Sequence, residues 1–257
     1  MSDWTPVHRW PAEAIWEAVV GQLPGFSIEI LPEIDSSNTE LMRRARAGRH
    51  EPILLVAERQ TAGRGRQGRT WAGELGDALT FSIGLPYQPS NWSGLSLAVG
   101  LSLAESLGPE VQLKWPNDLW CHQRKLGGIL IEQQILGNTI AWSIVGCGMN
   151  VNAHPELKNT SSIFEQTQVH FKPRTLLNEF LELFNGHLDL LYSNHDKLKA
   201  DFEAELWGKY TIQQFEDVKG QLWKAKIMGV DALGRLVLEQ NDELLHFDLQ
   251  EIKLKLP

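Results

Sequence analysis

Cysteine is scarce in this chain: Cys121 and Cys147 are the two among 257 residues. Two thiols cannot build a disulfide framework or a four-thiolate metal centre, so they read as free thiols of a reducing compartment. Basic residues are outnumbered as well, 24 Lys and Arg against 32 Asp and Glu, a formal net charge of −8. Proteins that grip nucleic acid through its phosphates carry a basic face, so no DNA or RNA partner is expected, although a local basic loop can still hold a nucleotide. No apolar run approaches the ~18 residues that a membrane span needs. The first 25 residues mix charges with prolines and lack the compact apolar segment of a secretory signal. Repeats and low-complexity tracts are missing too. The expectation is a soluble, cytoplasmic protein.

What is present suits a globular enzyme: 42% hydrophobic and 22% charged residues, in a length that fits one large domain with or without a small second one. Ten tryptophans, scattered without fixed spacing, read as core and rim packing. Trp10, Ile15, Ala18, Val19 and Leu23 share a helical face that Pro24-Gly25 ends. Phe26–Ile30 alternates as a strand, and Ser37 with Glu40 forms a capping box for a helix reaching about Gly48. Ile53–Ala57 and Ala78–Leu85 are buried-strand runs, and Leu95–Leu107 is an apolar helix facing the sheet. Val111–Trp115 is a strand stopped by Pro116, and Leu126–Gln134 with Thr139–Gly146 makes a hairpin. Helical periodicity returns over 173–207. After Tyr210 short alternating strands, with turns at Lys219-Gly220, Asp231–Gly234 and Asn241-Asp242, predict a small β-barrel.

The most informative stretch is Thr61–Trp71, where Gly63, Gly65 and Gly68 interleave with Arg64, Arg66 and Arg69 directly after a buried strand. Glycine lets backbone N–H groups approach an anion closely, and arginine adds permanently charged forks for phosphate or carboxylate oxygens. An RG-rich stretch can equally be a solvated basic loop, but the indole of Trp71 at its end argues that it folds down onto something. It is not a Walker P-loop, because no Gly-Lys-Ser/Thr follows.

Gly63-Arg-Gly-Arg-Gln-Gly-Arg-Thr-Trp71 resembles the GRGRxGRxW signature of biotin protein ligases. Lys114-Trp-Pro-Asn-Asp118 resembles that family's KWPND, Lys125-Leu-Gly-Gly-Ile-Leu130 its KLxGIL, Asp35-Ser-Ser-Asn38 its DSTN, and Gly146-Cys-Gly-Met-Asn-Val-Asn152 its GxGINVN. The motifs come in the family's order and run from about residue 30 onward. The resemblance implies an α+β fold: a ligase-like catalytic domain of mixed sheet and packed helices over 1–208, with 1–25 as a helical extension, followed by an SH3-like barrel over 209–257. It implies a biotin–[acetyl-CoA-carboxylase] ligase, which uses ATP and Mg2+ to make biotinyl-5′-adenylate and passes biotin to a lysine of a biotin carboxyl carrier domain. Homodimerisation through sheet edges also belongs to the family's pattern.

Carried over residue by residue, Lys125 and Arg66 are the catalytic candidates. Ser36, Ser37, Asn38 and Gln60 would take biotin's ureido ring, and Gly63, Arg64, Gly65, Arg66, Lys125 and Gly128 its chain and carboxylate. Arg66, Arg69, Trp71, Lys114, Asn117, Asp118, Lys125 and Asn150 would take ATP, Asn150 through a phosphate. Ser36 or Ser37 can also be a helix cap, and Trp71 can pack on nucleotide or merely anchor the loop. Asp118 is open between metal ligand, base for the incoming lysine, and orienting group. Three other functions compete. A lipoate or octanoate ligase of the same superfamily differs in the acid that drives ATP–pyrophosphate exchange. A non-catalytic nucleotide-binding module differs in lacking turnover. A repressor needs a winged helix-turn-helix, for which the ~30 residues before Asp35 are too few.

Overall fold

Strand formation follows the apolar runs. The computed structural model describes residues 26–73, 77–86, 93–155 and 157–255; the extension expected over 1–25, with its helix at 10–23, lies outside them. The main sheet contains β1 (Ser27–Leu31), β2 (Ile53–Ala57), β3 (Ala78–Pro86), β4 (Val111–Lys114), β5 (Asp118–Cys121), β6 (Arg124–Leu136) and β7 (Thr139–Asn150) in the order β1-β2-β3-β7-β6-β5-β4. β1 and β2 are parallel and joined through helix α1 (Ser37–Arg46); the other pairs are antiparallel. β2 is buried at every position, which is why its five residues are all apolar. α2 (Ser93–Leu107) packs on the sheet and alongside α4 (Pro173–Ser193), which also touches the sheet, with the short α3 (Ile163–Thr167) before α4 and α5 (His195–Ala204) after it. Phe81 of β3 meets Phe180 of α4 at 5.0 Å between ring centroids, and Phe180 stacks on Phe184 at 5.4 Å.

Strand β7 shows how one sequence serves two faces. Its odd positions, Val145, Cys147 and Met149, enter the main core. Its even positions begin with Trp142 and Ile144 under Leu41 and Ala45 of α1, then change to Gly146 and Gly148. Bulk therefore supports the helix, and just beyond it the same face becomes bare backbone. The cleft described below opens there.

The C-terminal strands β8 (Ile212–Asp217), β9 (Leu222–Val230), β10 (Leu236–Gln240), β11 (Glu243–Phe247) and β12 (Ile252–Lys255) form an antiparallel sheet in the order β11-β10-β9-β8-β12. The turns named from the sequence hold positive backbone φ at Gly220, Gly234, Asn241 and Asp242. This sheet shares its core with the main one and is tied to it by Trp115 Nε1 donating to Gly234 O at 3.1 Å and Val230 N donating to Glu203 Oε1 at 3.0 Å. Asp231 organises the β9–β10 turn. Burial raises its pKa, but bonds from Arg235, His246 and the N–H groups of Arg235 and Leu233 outweigh this and bring it to about 2. A carboxylate depressed from 3.8 stabilises the fold above that value and loses its contribution as pH falls toward 2. Asp231→Asn should cost about 1 kcal/mol at pH 7 after solvent screening is allowed for, and urea melts of both proteins should converge between pH 4 and pH 2.

Three sequence expectations change. α1 is capped one residue earlier than Ser37: Thr39 N donates to Ser36 Oγ at 3.4 Å, because the Ser37 hydroxyl is bonded across the sheet. The helical stretch 173–207 breaks at Asn194, whose side chain caps α5. β5 was not expected; its four residues begin at the last position of a motif and carry no visible alternation.

Candidate active site

A cleft of about 540 Å³ opens beside α1 over the ends of β5, β6 and β7. Every site residue named from the motifs lines it except Gly63. The floor explains the glycine motifs. A β-carbon on Gly146 would lie 2.8 Å from Asn38 Cγ, and one on Gly148 2.6 Å from Trp71 Cζ2, both far inside contact distance. Asn38 and Trp71 thus rest on bare backbone, and Trp71 anchors the loop that it terminates.

The arginine–glycine loop is a closed ribbon. Trp71 N donates to Gly63 O at 2.9 Å and Gly65 N to Arg69 O at 2.7 Å, while a single 3-10 turn at Arg66–Gly68 reverses the chain with positive φ at Gln67 and Gly68. Its arginines have different surroundings. Arg66 Nη1 donates to Asn117 Oδ1 at 3.1 Å, and Asn117 is itself fixed by donating to Ile129 O at 2.7 Å. Arg64 is not presented free: its guanidinium bonds Glu132 at 2.7 and 3.2 Å and Thr39 Oγ1 at 3.2 Å.

Positive charge collects around one carboxylate. Lys125 Nζ donates to Asp118 Oδ1 at 2.6 Å, and Lys114 Nζ stands 4.0 Å from Asp118 Oδ2 and 4.7 Å above the Trp120 ring. Burial pushes the Lys114 pKa down; Asp118 opposes this, and the neighbouring charges of Lys125 and Arg69 add to it. Burial likewise lowers Arg66, with Asp118 opposing and Arg69 adding. Three cations therefore share Asp118 with Arg69 beside two of them, and the local field favours an incoming anion. Both Asp118 oxygens already face ammonium groups, and among the described residues no three His, Cys, Asp or Glu side chains converge on a metal position. This donor set does not fit a preformed magnesium site, and no step below is routed through one.

The opposite end of the cleft is polar and neutral. Gln60 Oε1 accepts from Ser37 N at 2.7 Å and lies 3.1 Å from Ser37 Oγ, while Ser82 Oγ lies 2.7 Å from both Ser37 Oγ and Asn38 Oδ1. Ser82 is missing from the sequence reading, although a hydroxyl inside the apolar run Ala78–Leu85 is a visible signal. Also unforeseen are Glu132 and the C-terminal segment around Asp217, Val218 and Leu249–Leu254, which lines the cleft's mouth. Asn150 is buried: its Nδ2 donates to Ser161 O at 3.1 Å, and its Oδ1 has no partner. The Trp71 indole N–H is similarly buried and unpaired. Both cysteines are buried, and burial raises their thiol pKa values, as befits apolar fillers.

Residues 31–150 match the family described as Biotin/lipoate A/B protein ligase family. Over 139 residues the chain is 40% identical to the bifunctional ligase/repressor BirA of Escherichia coli, taking in 52% of this chain and 43% of that protein. Over 154 residues it is 37% identical to the biotin–[acetyl-CoA-carboxylase] ligase of Mycobacterium tuberculosis, with 54% and 55% covered. The chain thus spans about half the length of these curated relatives. Among solved structures, the biotin protein ligase from Aquifex aeolicus in complex with biotin and ATP superposes with a TM-score of 0.74 at 24% identity, over 91% of this chain and 99% of that one. A mutant of that ligase in complex with biotin gives 0.72 at 25%, over 89% and 98%. These likenesses establish the mixed-sheet fold with its SH3-like C-terminal sheet, and the match to the Biotin/lipoate A/B protein ligase family spans the part of that fold, residues 31–150, that carries most of the cleft.

Proposed function

We propose that this chain is a biotin protein ligase. The observation that carries the reading is the convergence of Arg66, Arg69, Lys114 and Lys125 around Asp118 at one end of a cleft whose other end is a neutral hydrogen-bonding wall. Two anions have to meet in the first half-reaction. A carboxylate oxygen of biotin bonds to the α-phosphorus of ATP, the Pα–O–Pβ bond breaks, and pyrophosphate leaves with the electron pair. Lys125 neutralises the charge between the reacting oxygens, with Asp118 as its orienting group, while Lys114, Arg66 and Arg69 hold the phosphates. In the second half-reaction the neutral amine of an acceptor lysine bonds to the carbonyl carbon, the C–O bond to phosphate breaks, AMP departs, and the amine proton passes to solvent.

Ser37 and Gln60 take the ureido ring, with Ser36 occupied as the helix cap and Asn38 supporting from below. Gly63, Gly65 and Gly128 give the loop and floor their close approach. The free oxygen of Asn150 can accept from an N–H donor of adenine, while the second N–H of its amide is left for the phosphate that the motif suggested. Magnesium in this reading belongs to the nucleotide, held by phosphate oxygens and water. The acceptor is a biotin carboxyl carrier domain, and DNA is not a partner. We place the domain division at 208/209, a homodimer on an edge strand of the main sheet (β1 or β4), and the site of action in the cytoplasm. No helix among the described residues is long and apolar enough to cross a membrane.

The runner-up, a lipoate or octanoate ligase, would need an apolar headgroup end, whereas Ser37, Gln60, Asn38 and Ser82 make this end polar. ATP–pyrophosphate exchange with biotin or lipoate as the acid decides between them, followed by ATP-dependent transfer of biotin to a purified carrier domain. Exchange with lipoate alone, or nucleotide binding without turnover, would overturn the reading. Arg66→Ala should release biotinyl-adenylate into solution about tenfold faster, as expected for loss of one charge-assisted contact; release at the wild-type rate would remove Arg66 from intermediate retention.

A further inference from the structure

Two segments that frame the headgroup wall meet on one side chain outside the cleft. Glu132 of β6 accepts from Arg64 of the loop through Oε1 at 2.7 Å and Oε2 at 3.2 Å, and from Asn38 Nδ2 of α1 through Oε2 at 3.0 Å. Asn38 Nδ2 also donates to Leu130 O at 3.1 Å. Carboxylate and carbonyl oxygens only accept, so together they fix which end of the Asn38 amide faces them. Asn38 Oδ1 is then turned to Ser82, whose single proton it must receive at 2.7 Å. The proton of Ser37 is left between Ser82 Oγ at 2.7 Å and Gln60 Oε1 at 3.1 Å, both acceptors, so Ser37 Oγ meets the cleft with lone pairs only. Gln60 Oε1 is occupied by Ser37 N, which leaves Gln60 Nε2 as that residue's donor.

We propose that Glu132 is a positioning residue for the acid substrate: one carboxylate registers the arginine–glycine loop against the headgroup wall and sets the wall's hydrogen-bond polarity. The geometry admits no simpler role as a surface ion pair, because the same oxygen that meets Arg64 also holds Asn38, and Asn38 occupies the space that Gly146 leaves open. The wall so polarised accepts at Ser37 and donates at Gln60, which suits a ring bearing N–H and C=O groups side by side. A ring without N–H leaves Ser37 unpaired and is rejected. The inference rests on the biotin-ligase reading and adds to it a residue beyond those that the motifs supply.

The test is ATP–pyrophosphate exchange by the full chain with Glu132→Ala, Glu132→Gln and Arg64→Ala. Glu132→Ala should raise the KM for biotin about tenfold, with kcat and the KM for ATP moving less than about twofold and the preference for biotin over lipoate shrinking. Glu132→Gln keeps an acceptor for Asn38 at the same reach and should restore the preference while recovering only part of the KM. Glu132→Ala combined with Arg64→Ala should cost less than the sum of the two, since they break one clamp. An unchanged biotin KM in Glu132→Ala, or equal losses in every constant accompanied by a lowered Tm, would overturn the inference. If the wild type itself shows no biotin-driven exchange, the failure lies with the functional reading and not with Glu132.

Discussion

Lys125→Ala should lower the rate of biotin-dependent ATP–pyrophosphate exchange about 10²–10³-fold, the usual loss when one preorganised electrostatic group is removed from a charge-developing transition state. The lysine sits at the contact point between the two halves of the cleft. Its ammonium is 2.6 Å from Asp118, and a β-carbon on Gly128 would come within 3.3 Å of it, so the neighbouring glycine leaves room for an oxygen to approach. Alanine removes the charge and leaves Asp118 with Lys114 at 4.0 Å, so the cluster loses one of its four cations and keeps its one anion. Nucleotide affinity should fall less than the exchange rate, because Arg66, Arg69 and Lys114 remain. Biotin-driven exchange is measured beside the Tm, so that an unfolded variant is recognised. Exchange within threefold of wild type in a folded protein would mean that Lys125 does not act on the reacting oxygens. Lys125→Arg keeps the charge but replaces a compact ammonium by a planar fork beside Gly128, and only partial activity is expected from it.

The sequence revealed local order and pattern, and the parts it hid are contacts between distant segments. Ile53–Ala57, Ala78–Leu85 and the 126–146 hairpin were legible because burial on both faces, or alternation, writes itself into neighbouring residues. The three turns named after Tyr210 were legible because glycine, asparagine and aspartate mark positive φ. The cap shifted from Ser37 to Ser36 because two adjacent serines are locally equivalent: only Gln60 and Ser82, one on each neighbouring strand region, take the second hydroxyl out of competition. Arg64 looked like its two sister arginines, and nothing near it in the chain announces Glu132, which lies 68 residues away. Asn150 was assigned to phosphate by its motif, and nothing near it in the chain announces that one N–H of its amide is held by Ser161 O, a partner that the loop after β7 supplies only once it has folded back.

Trp71 carries the second large expected effect, through the glycine beneath it. Gly148 lies inside β7 with ordinary extended backbone, so a strand would accept alanine there without strain. What cannot accept it is the indole. A β-carbon would lie 2.6 Å from Trp71 Cζ2 and 2.8 Å from Nε1, against a rigid ring that cannot swing one end aside as a lysine could. Overpacking of this kind costs about 1–3 kcal/mol, and here the cost falls on the seated loop rather than on the strand, because the loop is the part that can lift. Gly148→Ala should therefore lower the ratio of seated to lifted ribbon roughly 5- to 150-fold, and kcat/KM for adenylate formation should fall with the seated fraction. Trypsin gives the direct readout, since Arg64, Arg66 and Arg69 all lie in the loop and cleavage there should accelerate by the same factor, whereas fluorescence is blurred by ten tryptophans. Trp71→Ala removes the clash, so Gly148→Ala made on that background should cost almost nothing further. If Gly148→Ala harms the enzyme equally with and without the indole, the steric account is wrong and the glycine is needed for the ligand itself.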